Sequence, residues 1–175
     1  TAQRPLASGV LTETQALQLF ALLIAIAFAL VLFLNWQTIA LSVVALLLAS
    51  SYPFMKRYTH FPQVVLGAAF GWAIPMAFMA VLETVPTYGW WLFLANLLWT
   101  VAYDTMYAMV DRDDDLAVGV KSTAILFGQL DRRLIGFMQL VSLECFVMAG
   151  VSFQLGPPYF VSIAAVGTLF LWHQW

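Results

Sequence analysis

Three aspartates, Asp104, Asp111 and Asp115, stand seven and four residues apart in the run Tyr103-Asp104-Thr105-Met106-Tyr107-Ala108-Met109-Val110-Asp111-Arg112-Asp113-Asp114-Asp115. On a continuous helix at 100° per residue, Asp111 and Asp115 fall about 20° to either side of Asp104, so the three carboxylates share one face over about 16 Å. Tyr107 lies about 60° from that line and Asp113 points to the opposite face. Ionised carboxylates ~6 Å apart at an effective dielectric of ~20 repel by roughly 3 kcal/mol, and a divalent cation offsets that repulsion directly. Oxygen-only donors favour Mg²⁺, which keeps several waters and bridges protein carboxylates to a substrate's phosphates. A merely solvated acidic loop is the alternative; the shared face and the cations nearby favour the metal. An EF-hand is excluded, because its glycine position holds Leu116 and its closing glutamate position holds Ser122.

Anion-binding groups lie beside the acids. Lys121-Ser122-Thr123 follows them closely, and Tyr52-Pro53-Phe54-Met55-Lys56-Arg57 offers a phenol, an ammonium and a guanidinium. Each cation alone suits a topology determinant or a lipid headgroup contact. Together with an acidic metal site, Tyr52, Lys56, Arg57 and Lys121 suit a diphosphate cradle, with arginine fitted to bidentate phosphate contact.

The elements that must position these groups belong to a membrane protein. Of 175 residues 63% are hydrophobic and 9% are charged, against roughly 25% charged in soluble domains. Ten of the charges lie between Asp104 and Arg133, and whole stretches elsewhere carry none. The fold class expected is therefore an all-α polytopic membrane protein in a lipid bilayer, with about six transmembrane helices. They are expected at about 14–34, 38–54, 63–82, 88–103, 134–153 and 159–175, as one helical domain incomplete at both ends. Every lysine and arginine falls before the first span or after the second or fourth, which makes that side, with the Asp-rich loop, cytoplasmic. The few scattered cations give no footprint for nucleic acid. Cys145 is the single cysteine and allows no internal disulfide. The chain opens Thr1-Ala2-Gln3-Arg4 without methionine and ends in an apolar run, as expected of an internal piece of a longer protein. Gly67 and Gly71 suit close helix approach, and Pro75 a kink. Glu144, near mid-bilayer, is expected to be protonated and hydrogen-bonded within the bundle. His60 is expected in an interfacial or loop role.

The sequence resembles the UbiA superfamily of intramembrane aromatic prenyltransferases, and within it the bacterial 4-hydroxybenzoate polyprenyltransferases of ubiquinone biosynthesis. The resemblance is carried by Arg4-Pro5-Leu6 with Ser8-Gly9, Tyr52 to His60, Gly67-Ala68-Ala69-Phe70-Gly71-Trp72, and Tyr103 to Asp115 with Lys121-Ser122-Thr123. It implies a bacterial inner-membrane bundle of nine helices, of which this chain supplies six, around a cavity with two Asp-rich motifs at its mouth. Asp111 and Asp115 match the second motif, with Asp104 preceding it; Lys56, Arg57 and Lys121 match the basic segments. These residues are then expected to hold Mg²⁺ and a polyprenyl diphosphate, with an aromatic acid as acceptor and Arg4 and Tyr107 as further substrate contacts. Tyr107 and Phe70 are the aromatics expected at the cavity.

Two other classes stay in view. A transporter or channel with an acidic cytoplasmic vestibule would place ionisable residues on facing helices at mid-membrane, where Glu144 alone qualifies. A CDP-alcohol phosphatidyltransferase would need D-G-x-x-A-R between its carboxylates, which is absent. The first Asp-rich motif of the resembled family would precede Arg4, so the 175-residue chain alone is expected to be inactive. Incubating it in detergent with labelled prenyl diphosphate and 4-hydroxybenzoate should give background counts, and turnover would refute the expectation.

Overall fold

In lipid, helices cannot be driven together by hiding leucine, so they meet through small residues that let backbones approach, while bulky side chains face outward. The computed structural model, which describes residues 5–174, follows that rule. Its buried apolar residues are mainly alanines, Ala95, Ala102, Ala108, Ala124 and Ala149, whereas large side chains such as Leu47, Phe70 and Trp172 are exposed.

The described residues are all-helical. The order is α1 (Glu13–Val31), α2 (Trp36–Tyr58), α3 (Pro62–Gly71), α4 (Ala73–Leu82), α5 (Thr87–Val110), α6 (Arg112–Val118), α7 (Thr123–Phe127), a 3₁₀ turn (Gly128–Leu130), α8 (Asp131–Ser152) and α9 (Pro157–His173). Four stretches are long and apolar enough to cross a membrane: Glu13–Val31, Trp36–Tyr58, Pro62–Leu82 and Thr123–Ser152. Six were expected. Of the other two, α5 carries Asn96, Thr100, Asp104 and Thr105 among several Trp and Tyr residues, and α9 has only 17 residues.

The helix α5 is the hub. It packs against α3 on one side and α8 on the other, while α2 lies on α3 and α4, α9 on α8, and α1 on α2. Ser142 of α8 donates to the Ala95 carbonyl of α5 at 2.9 Å. On the opposite side, a Cβ added at Gly67 would stand 2.9 Å from the Leu97 carbonyl oxygen. The glycine is therefore required by backbone contact.

The α3–α4 break falls where Pro75 predicts it. Proline has no N–H to give the Gly71 carbonyl four residues back, and α3 ends at Gly71. The Trp72 indole then donates to the Leu41 carbonyl of α2 at 3.0 Å, pinning the kink. At the α1–α2 turn, Asn35 caps α2 through the Thr38 amide at 2.9 Å and donates to the Met79 carbonyl of α4 at 2.8 Å.

Gly67→Ala should lower stability by about 1–3 kcal/mol, the usual cost of overpacking a tight contact. Thermal unfolding in detergent should show a midpoint several degrees below that of Gly167→Ala, whose added Cβ would meet Leu143 at an ordinary 3.4 Å.

Candidate active site

The acidic segment straddles a helix break. The Asp111 amide reaches the Tyr107 carbonyl at a stretched 3.4 Å, closing α5, and Asp111 (φ −91°, ψ 7°) then leads into α6. The helix is thus interrupted between Asp104 and Asp115, where an unbroken helix was expected. Asp104 is half-buried on α5, Asp111 is exposed at the joint, and Asp115 is buried, 9% exposed, on α6. Among the described residues, no group of three or more His, Cys, Asp and Glu side chains is placed to hold a metal ion.

The donors that remain suit a hard cation. Asp115 Oδ2 is buried without a hydrogen-bond partner, and its backbone amide bonds to the Asp111 carbonyl at 2.8 Å, so the two carboxylates stand one turn apart. Mg²⁺ commonly takes one or two protein carboxylates, completing its shell with water and substrate phosphates. Asp111 and Asp115 therefore fit it. Asp104 is within electrostatic reach of Lys56 and Tyr52.

The chain brings its basic segments together by folding back at Gly119. That residue adopts φ +76°, a left-handed conformation that glycine takes without steric cost. Its amide bonds to the Leu116 carbonyl, and the Val120 amide to the Asp115 carbonyl at 3.0 Å, the helix-ending pattern that satisfies last-turn carbonyls. Lys121 then lands on the end of α2. Its amide donates to the Lys56 carbonyl at 2.9 Å and its ammonium to the Tyr58 carbonyl at 3.3 Å. Lys56 is half-buried and Arg57 exposed on the last turn of α2.

The hydroxyls after Lys121 have structural work instead of anion contact. Ser122 caps α7 by accepting from the Ile125 amide at 3.3 Å. Thr123 Oγ1 lies 2.6 Å from Thr105 Oγ1, and both residues are fully buried. Among the aromatics, Tyr107 is 58% exposed and packs edge-on against Tyr103, ring centroids 4.9 Å apart; Phe70 is 67% exposed. Arg4 lies outside the described residues. Glu144 sits on the exposed face of α8, not within the packed interior where a hydrogen bond was expected.

Two features escaped sequence reasoning. Arg112 forms an ion pair with Asp131 at the start of α8, and Asp131 also accepts from the Arg132 amide at 2.6 Å. The signal was there: Arg112 is the one cation among four clustered acids. Gln63 is fully buried on the first turn of α3, and as the polar residue inside an apolar run it too could have been singled out.

Arg112→Ala should loosen α6, since a charge-assisted hydrogen bond contributes about 1.5–3 kcal/mol. Hydrogen exchange in residues 112–120 should rise by about tenfold or more, and the exchanged pair Arg112→Asp with Asp131→Arg should recover part of the protection.

With this geometry in place, the relatives are informative. The model of the UbiA prenyltransferase family matches residues 1–175. A 4-hydroxybenzoate octaprenyltransferase of Pseudoalteromonas atlantica is 63% identical over 99% of this chain and 61% of its own length. One from Sodalis glossinidius is 60% identical over 99% of this chain and 60% of its own. The chain thus spans about three-fifths of the curated relatives it matches. The apo structure of a UbiA homolog from Aeropyrum pernix K1 superposes with a TM-score of 0.86 at 28% identity, covering 99% of this chain and 66% of that one. Its apolar helices and this kinship make it a multi-pass membrane protein, and the chain belongs to the UbiA prenyltransferase family.

Proposed function

We propose that the complete protein transfers a polyprenyl group from polyprenyl diphosphate to 4-hydroxybenzoate, in ubiquinone biosynthesis, at the cytoplasmic side of a bacterial inner membrane. The acceptor and an eight-unit prenyl chain are taken from the names of the similar proteins. The observation that carries the reading is the junction at Lys121. One backbone hydrogen bond to Lys56 sets two basic segments, distant in sequence, beside a buried carboxylate whose Oδ2 has no protein partner.

Asp111 and Asp115 are the carboxylates that would hold Mg²⁺, whose chemistry there is to neutralise charge on a diphosphate leaving group. Lys121, Lys56 and Arg57 offer that diphosphate ammonium and guanidinium contacts, and Tyr52 a phenol. Asp104 balances Lys56 from the α5 side. As the allylic carbon–oxygen bond breaks, the electron pair leaves with the diphosphate. The ring carbon ortho to the phenol oxygen then bonds to the allylic carbon, and the ring proton is released to restore aromaticity.

The cation must be shielded from water, which the lipid-embedded bundle provides. Tyr103 and Tyr107, four residues apart on α5 with ring centroids 4.9 Å apart, are exposed aromatics whose π systems suit stabilising that cation. An ion-conducting role has less support, since Glu144 has no ionisable partner on a facing helix among the described residues.

The test compares neighbouring aspartates in the complete protein. Asp115→Asn should reduce transfer of radiolabelled prenyl groups to 4-hydroxybenzoate by about 10²-fold or more, the scale for losing one electrostatic contact to developing charge. Asp113→Asn, at an exposed position, should stay within about threefold of wild type. Absence of transfer by wild type, together with ion flux in liposomes, would overturn the reading.

A further inference from the structure

Thr105 and Thr123 take no part in the cradle or in the reaction described above, yet their hydroxyls meet where the basic segment returns to the bundle. Both residues are fully buried, and a buried hydroxyl without a partner is costly. Thr105 Oγ1 lies 2.6 Å from the Val101 carbonyl oxygen, one turn back on α5, and 2.6 Å from Thr123 Oγ1 at the start of α7. Among the described residues, this pair is the one side-chain hydrogen bond between α5 and α7.

The protons have one arrangement. Each hydroxyl carries a single proton, and a carbonyl can only accept. If Thr105 gave its proton to Thr123, its oxygen would face the Val101 carbonyl at 2.6 Å with no hydrogen between two acceptors. Thr105 therefore donates to Val101, and Thr123 donates to Thr105. That order makes the partners unequal. Without its own hydroxyl, Thr123 leaves Thr105 its acceptor; without that of Thr105, a buried donor is stranded on α7.

The Lys121–Thr123 segment is thereby held at both ends. The Lys121 amide bonds to the Lys56 carbonyl of α2 at 2.9 Å, and the Thr123 hydroxyl bonds to α5. We propose that Thr105 is a positioning residue, whose hydroxyl, acting through Thr123, anchors this segment to α5 and so sets where the Lys121 side chain stands for a diphosphate. Its effect on turnover rests on the prenyl-transfer reading; the anchor itself does not. Thr105 touches no substrate.

The test uses the complete protein with Thr105→Val, which removes the hydroxyl at nearly constant shape, and Thr105→Ser, which keeps it. Thr105→Val should lower kcat for prenyl transfer by about tenfold or more, whereas Thr105→Ser should stay within about threefold of wild type. In a Lys121→Ala background, Thr105→Val should alter kcat by less than about twofold, because the side chain it positions is gone. No loss in Thr105→Val, an equal loss in Thr105→Ser, or an equal loss with and without Lys121 would overturn the proposal. Hydrogen exchange reads the anchor without turnover. Thr105→Val should raise exchange in residues 121–127 by about tenfold or more, and adding Thr123→Val, which removes the stranded donor, should restore part of the protection. If wild type transfers no prenyl group, the proposed function falls and the exchange data decide the anchor: unchanged exchange in Thr105→Val, or further loss of protection in the double variant, overturns it.

Discussion

A backbone carbonyl at the end of a membrane helix must find a donor, and at the end of α2 that donor comes from Lys121. The last four carbonyls of any helix lack partners within it, and near hydrocarbon an unmet one costs several kcal/mol. Here the Lys121 amide meets the Lys56 carbonyl and its ammonium meets that of Tyr58. Satisfying the helix end and assembling the cradle are thus the same act. Remove the contact and two things fail together: α2 loses its cap, and the lysine after the acidic segment loses its place beside Lys56 and Arg57.

That contact constrains what surrounds it. Lys121 can reach α2 only because the chain reverses at Gly119, and the reversal needs α6 to end where it does. The break at Asp111 gives α6 its own direction, which buries Asp115 while leaving Asp111 outside. Arg112 then ties the joint to Asp131 on α8.

The sequence was most legible where one physical cause dominates. Scarcity of charge spelled out membrane helices, Pro75 marked the α3–α4 break, and Gly67 announced a close contact, because each follows from local chemistry. The helix break among the aspartates was not legible for an equally physical reason. Helical phase carries information only while the hydrogen-bond ladder runs unbroken, and nothing in Met109-Val110-Asp111-Arg112 announces a break that the ion pair to Asp131 stabilises from another helix. The hydroxyls of Ser122 and Thr123 misled in a similar way. Their types suit anion binding, yet a cap and a buried hydroxyl pair consume them first. The resemblance to the prenyltransferases supplied the acid and base assignments that spacing alone could not have separated from a solvated loop.

The difference between Asp104 and Asp115 shows how burial and partnership divide the work. Asp104 is half-buried on α5, with the Lys56 ammonium within electrostatic reach. Asp115 is the more buried of the two, and one of its oxygens is left without a partner. Buried polar atoms are nearly always matched, and an exception calls for a cause outside the protein's own donors. An apolar residue would fill the Asp115 position at less cost if packing were its whole purpose. A carboxylate there, one turn from an exposed second carboxylate and six residues before Lys121, belongs to a donor pair that suits a hard cation.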